Sequence, residues 1–152
     1  NKNDFQLAVL GEHFKEYPSI FDEAKNILAD HIVHFGYCQS FEEYANWLWK
    51  ADIIPVTSNQ DFFGISIIEA ISTGVYPILP NKLSYPEILD IENNPEIFYN
   101  DNNELFKKIK EYLTNYKVLR KYTSKYEVLV DKFDWSNMVK VYDEKLEIYY
   151  SN

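Results

Sequence analysis

Two carboxylates, Asp61 and Glu69, lie eight positions apart within PVTSNQDFFGISIIEAISTGVYPILP, residues 55–80. The segment reads as the end of a buried strand, a short loop, a helix beginning at Gly64, and the next strand. Such a junction collects unsatisfied backbone N–H groups and the positive end of a helix dipole at one point. The amides of Phe63, Gly64 and Ile65 belong to it, and Gly64 has no side chain to keep a ligand away. Carboxylates beside such a point accept hydrogen bonds from hydroxyls. The ligand expected there carries both an anionic group and hydroxyls, as a sugar nucleotide does. A plainer reading stays open beside it: Asp61 as a helix-start carboxylate, Glu69 as a solvated flank residue, and Gly64 as a close-packing position on the sheet.

The elements that must position these residues alternate. Strand-like runs cover 5–10, 32–37, 52–57 and 75–79, with a short fifth at 96–99. Helical spacing covers 18–30, Phe41–Lys50, 64–73 and a short stretch at 84–89. Ser40 with Glu43, Ser84 with Glu87 and Asp101 with Glu104 have capping-box spacing. Gly74 follows its helix at the favoured C-terminal position. After Asn100 the pattern is helix only, with segments led by Leu105, Ile109 and Leu113, then 117–132 and 136–150. Apolar strands alternating with amphipathic helices predict a doubly wound, Rossmann-like parallel α/β sheet with helices on both faces and a C-terminal helical tail, one domain over 1–152. In such sheets ligands bind outside the carboxyl ends of the strands. The rim loops are then residues 11–14, 36–39, 58–64 and 81–87, which include Gly36, Tyr37, Ser58 and Glu87.

Composition narrows the classes. The net charge of −9 disfavours a nucleic-acid backbone as the direct ligand of this piece. No apolar run approaches a membrane span, no signal peptide is visible, and the single cysteine fits a reducing, cytoplasmic setting. One cysteine and three scattered histidines, His13, His31 and His34, predict no dedicated zinc site. Cys38 has no activating neighbour in sequence, His13 reads as a surface histidine, and Trp47 and Trp49 read as packing residues. Neither a P-loop, a glycine-rich dinucleotide loop nor a serine elbow occurs.

The order GYCQSFEEYANWLWKADIIPVTSNQDFFGISIIEAISTGVYPILPNKLSYPEIL resembles the second domain of family 4, GT-B-fold retaining glycosyltransferases. There the pattern runs Gly-aromatic turn, amphipathic helix, Ala-Asp, strand, Glu-x-Phe-Gly, four residues, Glu-Ala, then Gly-x-Pro. The likeness covers about residues 5–89, and Phe133-Asp134-Trp135-Ser136 resembles the family's C-terminal helix start. Trp-Leu-Trp-x-Ala-Asp together with Phe-Phe-Gly and Tyr-Pro-Glu-Ile is most similar to the tRNA-queuosine mannosyltransferase group. The resemblance implies a donor-binding half that transfers a hexose, mannose from GDP-mannose, to an acceptor such as queuosine-modified tRNA, with no obligatory metal or other cofactor. It implies that Glu69 binds the ribose hydroxyls and that Asp61 acts at the donor sugar. The amides of Phe63, Gly64 and Ile65 would hold the sugar or diphosphate, Gly36 and Tyr37 would flank the nucleobase, and Ser58 and Glu87 would border the donor.

Three departures accompany the likeness. Asp61 is one methylene shorter than the family's glutamate. The family's first strand, with the following loop that bears Arg and Lys for the diphosphate, has no counterpart, and neither has the acceptor-binding domain. A sheet lacking a central strand exposes edges that promote association. Rival readings are a glycosyltransferase for a glycan, a sugar-nucleotide epimerase and a non-catalytic α/β interaction module. A phosphoacceptor receiver fits less well, because the first strand ends at Gly11-Glu12 and not in an acidic cluster.

Overall fold

The computed structural model describes residues 5–11 and 18–150. The expectations for His13 and for most of the first rim loop lie outside the described residues. The chain forms two compact units, Asn1–Lys50 and Ala51–Asn152. The parallel α/β organisation expected is present, with the strands distributed over a two-stranded and a three-stranded sheet.

In the first unit β1 (Leu7–Leu10) and β2 (Ile32–Gly36) pair in parallel, with α1 (Ile20–Ile27) between them in sequence and α2 (Phe41–Lys50) after. The α2 bounds are those expected. Its capping box forms: Ser40 Oγ accepts the Glu43 N–H at 3.1 Å, while Glu43 Oε2 accepts the Gln39 N–H at 2.7 Å. Trp47 packs beside the His34 ring at 5.2 Å. The packing role expected of Trp49 is not found: its side chain is 65% exposed, because Leu48, not Trp49, takes the buried position of α2.

The second unit carries the core. β3 (Ile53–Pro55), β4 (Tyr76–Pro80) and β5 (Phe98–Tyr99) lie in parallel in that order, β4 central and buried throughout. α3 (Ile65–Ser72) buries Ile68, Ala70 and Ile71, close to the expected stripe, and leaves Ser66 exposed. Gly74 closes α3 at φ 84°, donating its N–H to the Ile71 carbonyl at 3.0 Å. α4 (Tyr85–Ile88) follows β4. The fifth strand is shorter than expected, because a 3-10 turn over Pro95–Ile97 precedes it. The tail is α5 (Asn102–Leu119), α6 (Ser124–Asp131) and α7 (Trp135–Tyr150). The box at the start of α5 forms, Asp101 Oδ1 accepting from Asn103 and Glu104 N–H at 2.8 and 2.9 Å.

The turn that replaces the start of the fifth strand anchors the tail. The Glu96 carbonyl accepts from Lys108 Nζ at 2.6 Å and from the Tyr112 hydroxyl at 2.9 Å. Its carboxylate accepts from Lys125 Nζ and from the Tyr126 hydroxyl, the latter at 2.6 Å. Desolvation opposes ionisation of this carboxyl, yet the bonds from Lys125 and Tyr126 outweigh it and hold Glu96 below the ordinary carboxylate range. A carboxylate with a depressed folded-state pKa stabilises fully above its unfolded pKa, about 4.3, and loses that contribution as pH falls through the lower folded value. The stability difference between the native chain and Glu96→Gln is therefore expected to shrink as pH is lowered from neutrality through that window. Thermal unfolding measured along the pH series checks this, and a gap independent of pH contradicts it.

Candidate functional site at the carboxyl rim of the second unit

β3 and β4 run in parallel, so the loops that leave them, 56–64 and 81–84, emerge at one edge. Lys82 Nζ donates to Asn59 Oδ1 at 2.7 Å and joins the two loops. Asn81 joins the second loop to the end of β5, through its N–H on the Tyr99 carbonyl and its side chain on Asn100.

Asp61 sits at the centre. Its Oδ1 accepts the Gly64 N–H and its Oδ2 accepts the Tyr85 hydroxyl, both at 2.7 Å. Burial, and after it the bond to Asp61, pushes the Tyr85 hydroxyl far above its ordinary pKa, so it stays a fixed donor. Ser58, on the same loop as Asp61, opposes the rise in the Tyr85 pKa without reversing it. The plain helix-start reading of Asp61 is thus realised, and the carboxylate is at the same time oriented by a buried tyrosine from α4. A carboxylate oxygen has lone pairs beyond one bond, so accepting from Gly64 and Tyr85 leaves Asp61 able to accept further.

Gly64 caps α3 in the left-handed region at φ 76°, ψ 39°. A Cβ there would stand 2.8 Å from Tyr85 Cε1, so both its backbone and its packing exclude a side chain. Its carbonyl accepts the Ile67 and Ile68 N–H groups, and its own N–H is taken by Asp61. Of the three amides expected to receive an anion, those of Phe63 and Ile65 remain without an acceptor among the described residues. The Phe63 ring is held edge-on against Phe133 at 5.1 Å, fixing the loop to the tail. Phe62, between Asp61 and Phe63, is 96% exposed.

Glu69 lies half-buried on α3 and Glu87 is exposed on α4. The capping box expected of Ser84 and Glu87 does not form. Ser84 makes no side-chain cap bond, and its hydroxyl is buried without a partner among the described residues. Gly36 and Tyr37 belong to the first unit, at the carboxyl end of β2; Gly36 has φ 131° and Tyr37 is 66% exposed.

Two participants were not singled out from the sequence. Tyr85 lies 24 positions from Asp61, and nothing local couples them. Lys82 had a signal: it is the only Lys or Arg between residues 51 and 100, and it falls on a rim loop. The arrangement offers amides at a helix start, a cation on the next loop, and one oriented carboxylate, Asp61, suited to an anion with hydroxyls attached.

Comparison with known proteins bears on the same segment. The family described as "Glycosyl transferases group 1" matches residues 1–127. A tRNA-queuosine alpha-mannosyltransferase of Drosophila melanogaster is 36% identical over 141 residues, 91% of this chain and 36% of that relative. The chain thus spans 36% of the length of that relative. Among the described residues, no helix is long and apolar enough to cross a membrane.

Proposed function

This chain belongs to the group 1 glycosyl transferases, and from that premise we propose that it is the nucleotide-sugar-binding half of a retaining glycosyltransferase. In this reading the donor is GDP-mannose, mannose is the sugar moved, and a queuosine-modified tRNA is the acceptor. The observation that carries the reading is the 36% identity over 91% of the chain to a relative named as a tRNA-queuosine alpha-mannosyltransferase. Most acceptor contacts are assigned to parts of the enzyme beyond this chain.

The rim supports a donor role through its geometry. The Phe63 and Ile65 amides at the start of α3 receive the diphosphate or the sugar, and Lys82 on the next rim loop supplies a cation for the leaving phosphate. Glu69 accepts from the ribose hydroxyls and Asp61, held by Gly64 and Tyr85, accepts from the hexose. Ser58, on the loop after β3, borders the donor. Glu87 borders the donor as well. Fixed amides and a cation aimed at the charge that develops on a departing diphosphate lower the barrier without reorganising during the reaction. No metal is required for that stabilisation.

Calorimetric titration with GDP, UDP and their sugars tests the proposal. GDP-selective binding is expected, weakened about 10- to 150-fold in Glu69→Ala, which corresponds to losing about 1.5–3 kcal/mol from bonds to a charged acceptor. Lys82→Ala is expected to weaken GDP but leave guanosine unchanged. UDP selectivity would remove the GDP-mannose assignment. Absence of any nucleotide binding, repeated in the longer enzyme, would favour the interaction module.

A further inference from the structure

The first unit carries a cluster that the donor reading does not use. We propose that His34, Cys38 and Glu43 form a binding site for a borderline-soft divalent metal ion of the zinc class, which ties the end of β2 to the first turn of α2. One ligand atom from each residue lies within 4.8 Å of the other two, and all three side chains are half-buried, within reach of an ion from solvent.

The separations suit shared coordination better than direct bonding. His34 Nδ1 stands 3.9 Å from Glu43 Oε1, too far for a hydrogen bond. Cys38 Sγ stands 3.9 Å from His34 Nε2, the outer edge of a weak sulfur contact. Zinc bonds of about 2.0 Å to nitrogen and oxygen and about 2.3 Å to sulfur place tetrahedral ligand atoms about 3.3–3.6 Å apart. Glu43 approaches Nδ1 and Cys38 approaches Nε2, so for one shared ring nitrogen the 4.8 Å spread of the cluster is the bound, and the side chains need to close by up to about 1.5 Å to reach that spacing.

Each ligand is also held from behind. Glu43 Oε2 accepts the Gln39 N–H at 2.7 Å, which turns Oε1 toward His34 and leaves it free to bind an ion through one oxygen. His34 Nε2 is 3.2 Å from the Gly36 carbonyl. In the tautomer with the proton on Nε2, that carbonyl accepts it and Nδ1 presents its lone pair, the outer support that metal-bound histidines normally have. The Trp47 ring, 5.2 Å away, limits rotation of the imidazole.

The donor set selects the ion. Magnesium and calcium take oxygen ligands, whereas one sulfur, one nitrogen and one carboxylate oxygen suit zinc. Three protein ligands leave a fourth position for water or an incoming donor atom. A cysteine–histidine–glutamate nucleophile is the competing use of the same residues. That use needs Glu43 hydrogen-bonded to the imidazole and the thiol hydrogen-bonded to its other nitrogen, whereas Glu43 stands 3.9 Å from Nδ1 and Nε2 already lies 3.2 Å from the Gly36 carbonyl. A bound metal instead displaces the thiol proton to solvent and takes the thiolate. Sequence spacing concealed the set, since His-x3-Cys-x4-Glu spreads the ligands over a strand, a loop and a helix.

Cobalt(II) titrated into the reduced chain tests the site. The expected result is one ion per chain, with a sulfur-to-cobalt charge-transfer band in the near ultraviolet that zinc abolishes. Cys38 is the only cysteine, so the band can have no other intramolecular source. His34→Gln and Glu43→Gln are expected to weaken zinc at least about tenfold, and Cys38→Ser to remove the band and the zinc-dependent rise in melting temperature. Circular dichroism establishes that each variant is folded. If one is not, the zinc-dependent shift of the native chain against Cys38→Ser still decides. Absence of the band, a band unaltered by both His34→Gln and Glu43→Gln, or the same zinc-dependent shift in Cys38→Ser would overturn the proposal.

Discussion

Gly64→Ala is expected to destabilise the second unit by about 3 kcal/mol and to lower its melting temperature by about 12–24 °C. Two independent costs add. The left-handed backbone, φ 76°, disfavours any residue with a Cβ by about 1–2 kcal/mol. The new Cβ would also stand 2.8 Å from Tyr85 Cε1, and Tyr85 is a buried core residue that cannot swing away, so overpacking adds about 1–3 kcal/mol. Gly74→Ala separates the two. Gly74 has nearly the same backbone, φ 84°, but its added Cβ would meet only Glu127 Oε1 at 3.5 Å and Thr123 Oγ1 at 3.8 Å, ordinary contact distances. Its cost is expected to be the backbone share alone. Denaturant unfolding of the two variants gives the difference, and equal losses would remove the Tyr85 contact from the explanation.

The same substitution reaches the site. Any displacement of the Tyr85 ring moves the hydroxyl that Asp61 accepts, and any change at Gly64 moves the N–H on the other carboxylate oxygen. The left-handed glycine, the buried tyrosine and the carboxylate therefore form one assembly. Under the proposed donor role, nucleotide affinity in Gly64→Ala is expected to fall by more than the loss of folded protein accounts for, measured well below the melting temperature.

What was legible in the sequence was local. The caps at Ser40 and Asp101 formed because their partners lie three positions away and leave no competing geometry. The buried face of α3 and the glycine after it followed from helical period and from the left-handed cap that glycine permits. Ser84 and Glu87 have the same spacing as the boxes that formed, but α4 is a helix of four residues with a proline in its first turn. A single turn with so few bonds leaves little to hold Glu87 back on the chain start. The fifth strand starts two residues later than its pattern suggests, because Pro95 sets a helical φ and the Glu96 carbonyl is claimed by Lys108 and Tyr112 from α5. Asp61 and Gly64 could be read as site candidates, whereas what orients them could not. Tyr85 and the Lys82–Asn59 link are contacts over 24 and 23 positions, which only the packed sheet brings together.

Tyr99→Phe is expected to destabilise the second unit by about 1–3 kcal/mol, the cost of leaving a buried polar group unpaired. The reason lies in two prolines of the central strand. Along the β3–β4 ladder the Tyr76 N–H donates to the Asp52 carbonyl and the Val56 N–H donates to the Ile78 carbonyl, so even-numbered residues of β4 turn their polar groups toward β3. Pro77 is harmless by this parity, since its missing N–H faces the side where β5 has not begun; β5 pairs only Leu79 and Pro80. Pro80 falls on the other parity. A residue with an N–H at that position would serve the Val56 carbonyl, and proline has none. The Tyr99 hydroxyl takes its place, donating to that carbonyl at 2.6 Å from the neighbouring strand. Val56 and Tyr99 are both buried, so water is a poor substitute once the hydroxyl is gone. Phenylalanine preserves the ring and its packing, so the loss measured by denaturant unfolding reports the bond. Tyr116→Phe is the control, because that tyrosine is exposed and is expected to change stability by less than about 0.5 kcal/mol. Equal effects at the two positions would mean that the Val56 carbonyl finds another donor. Unequal effects would show that Pro80 is tolerated in a central strand because a tyrosine hydroxyl from β5 stands in for the N–H it lacks.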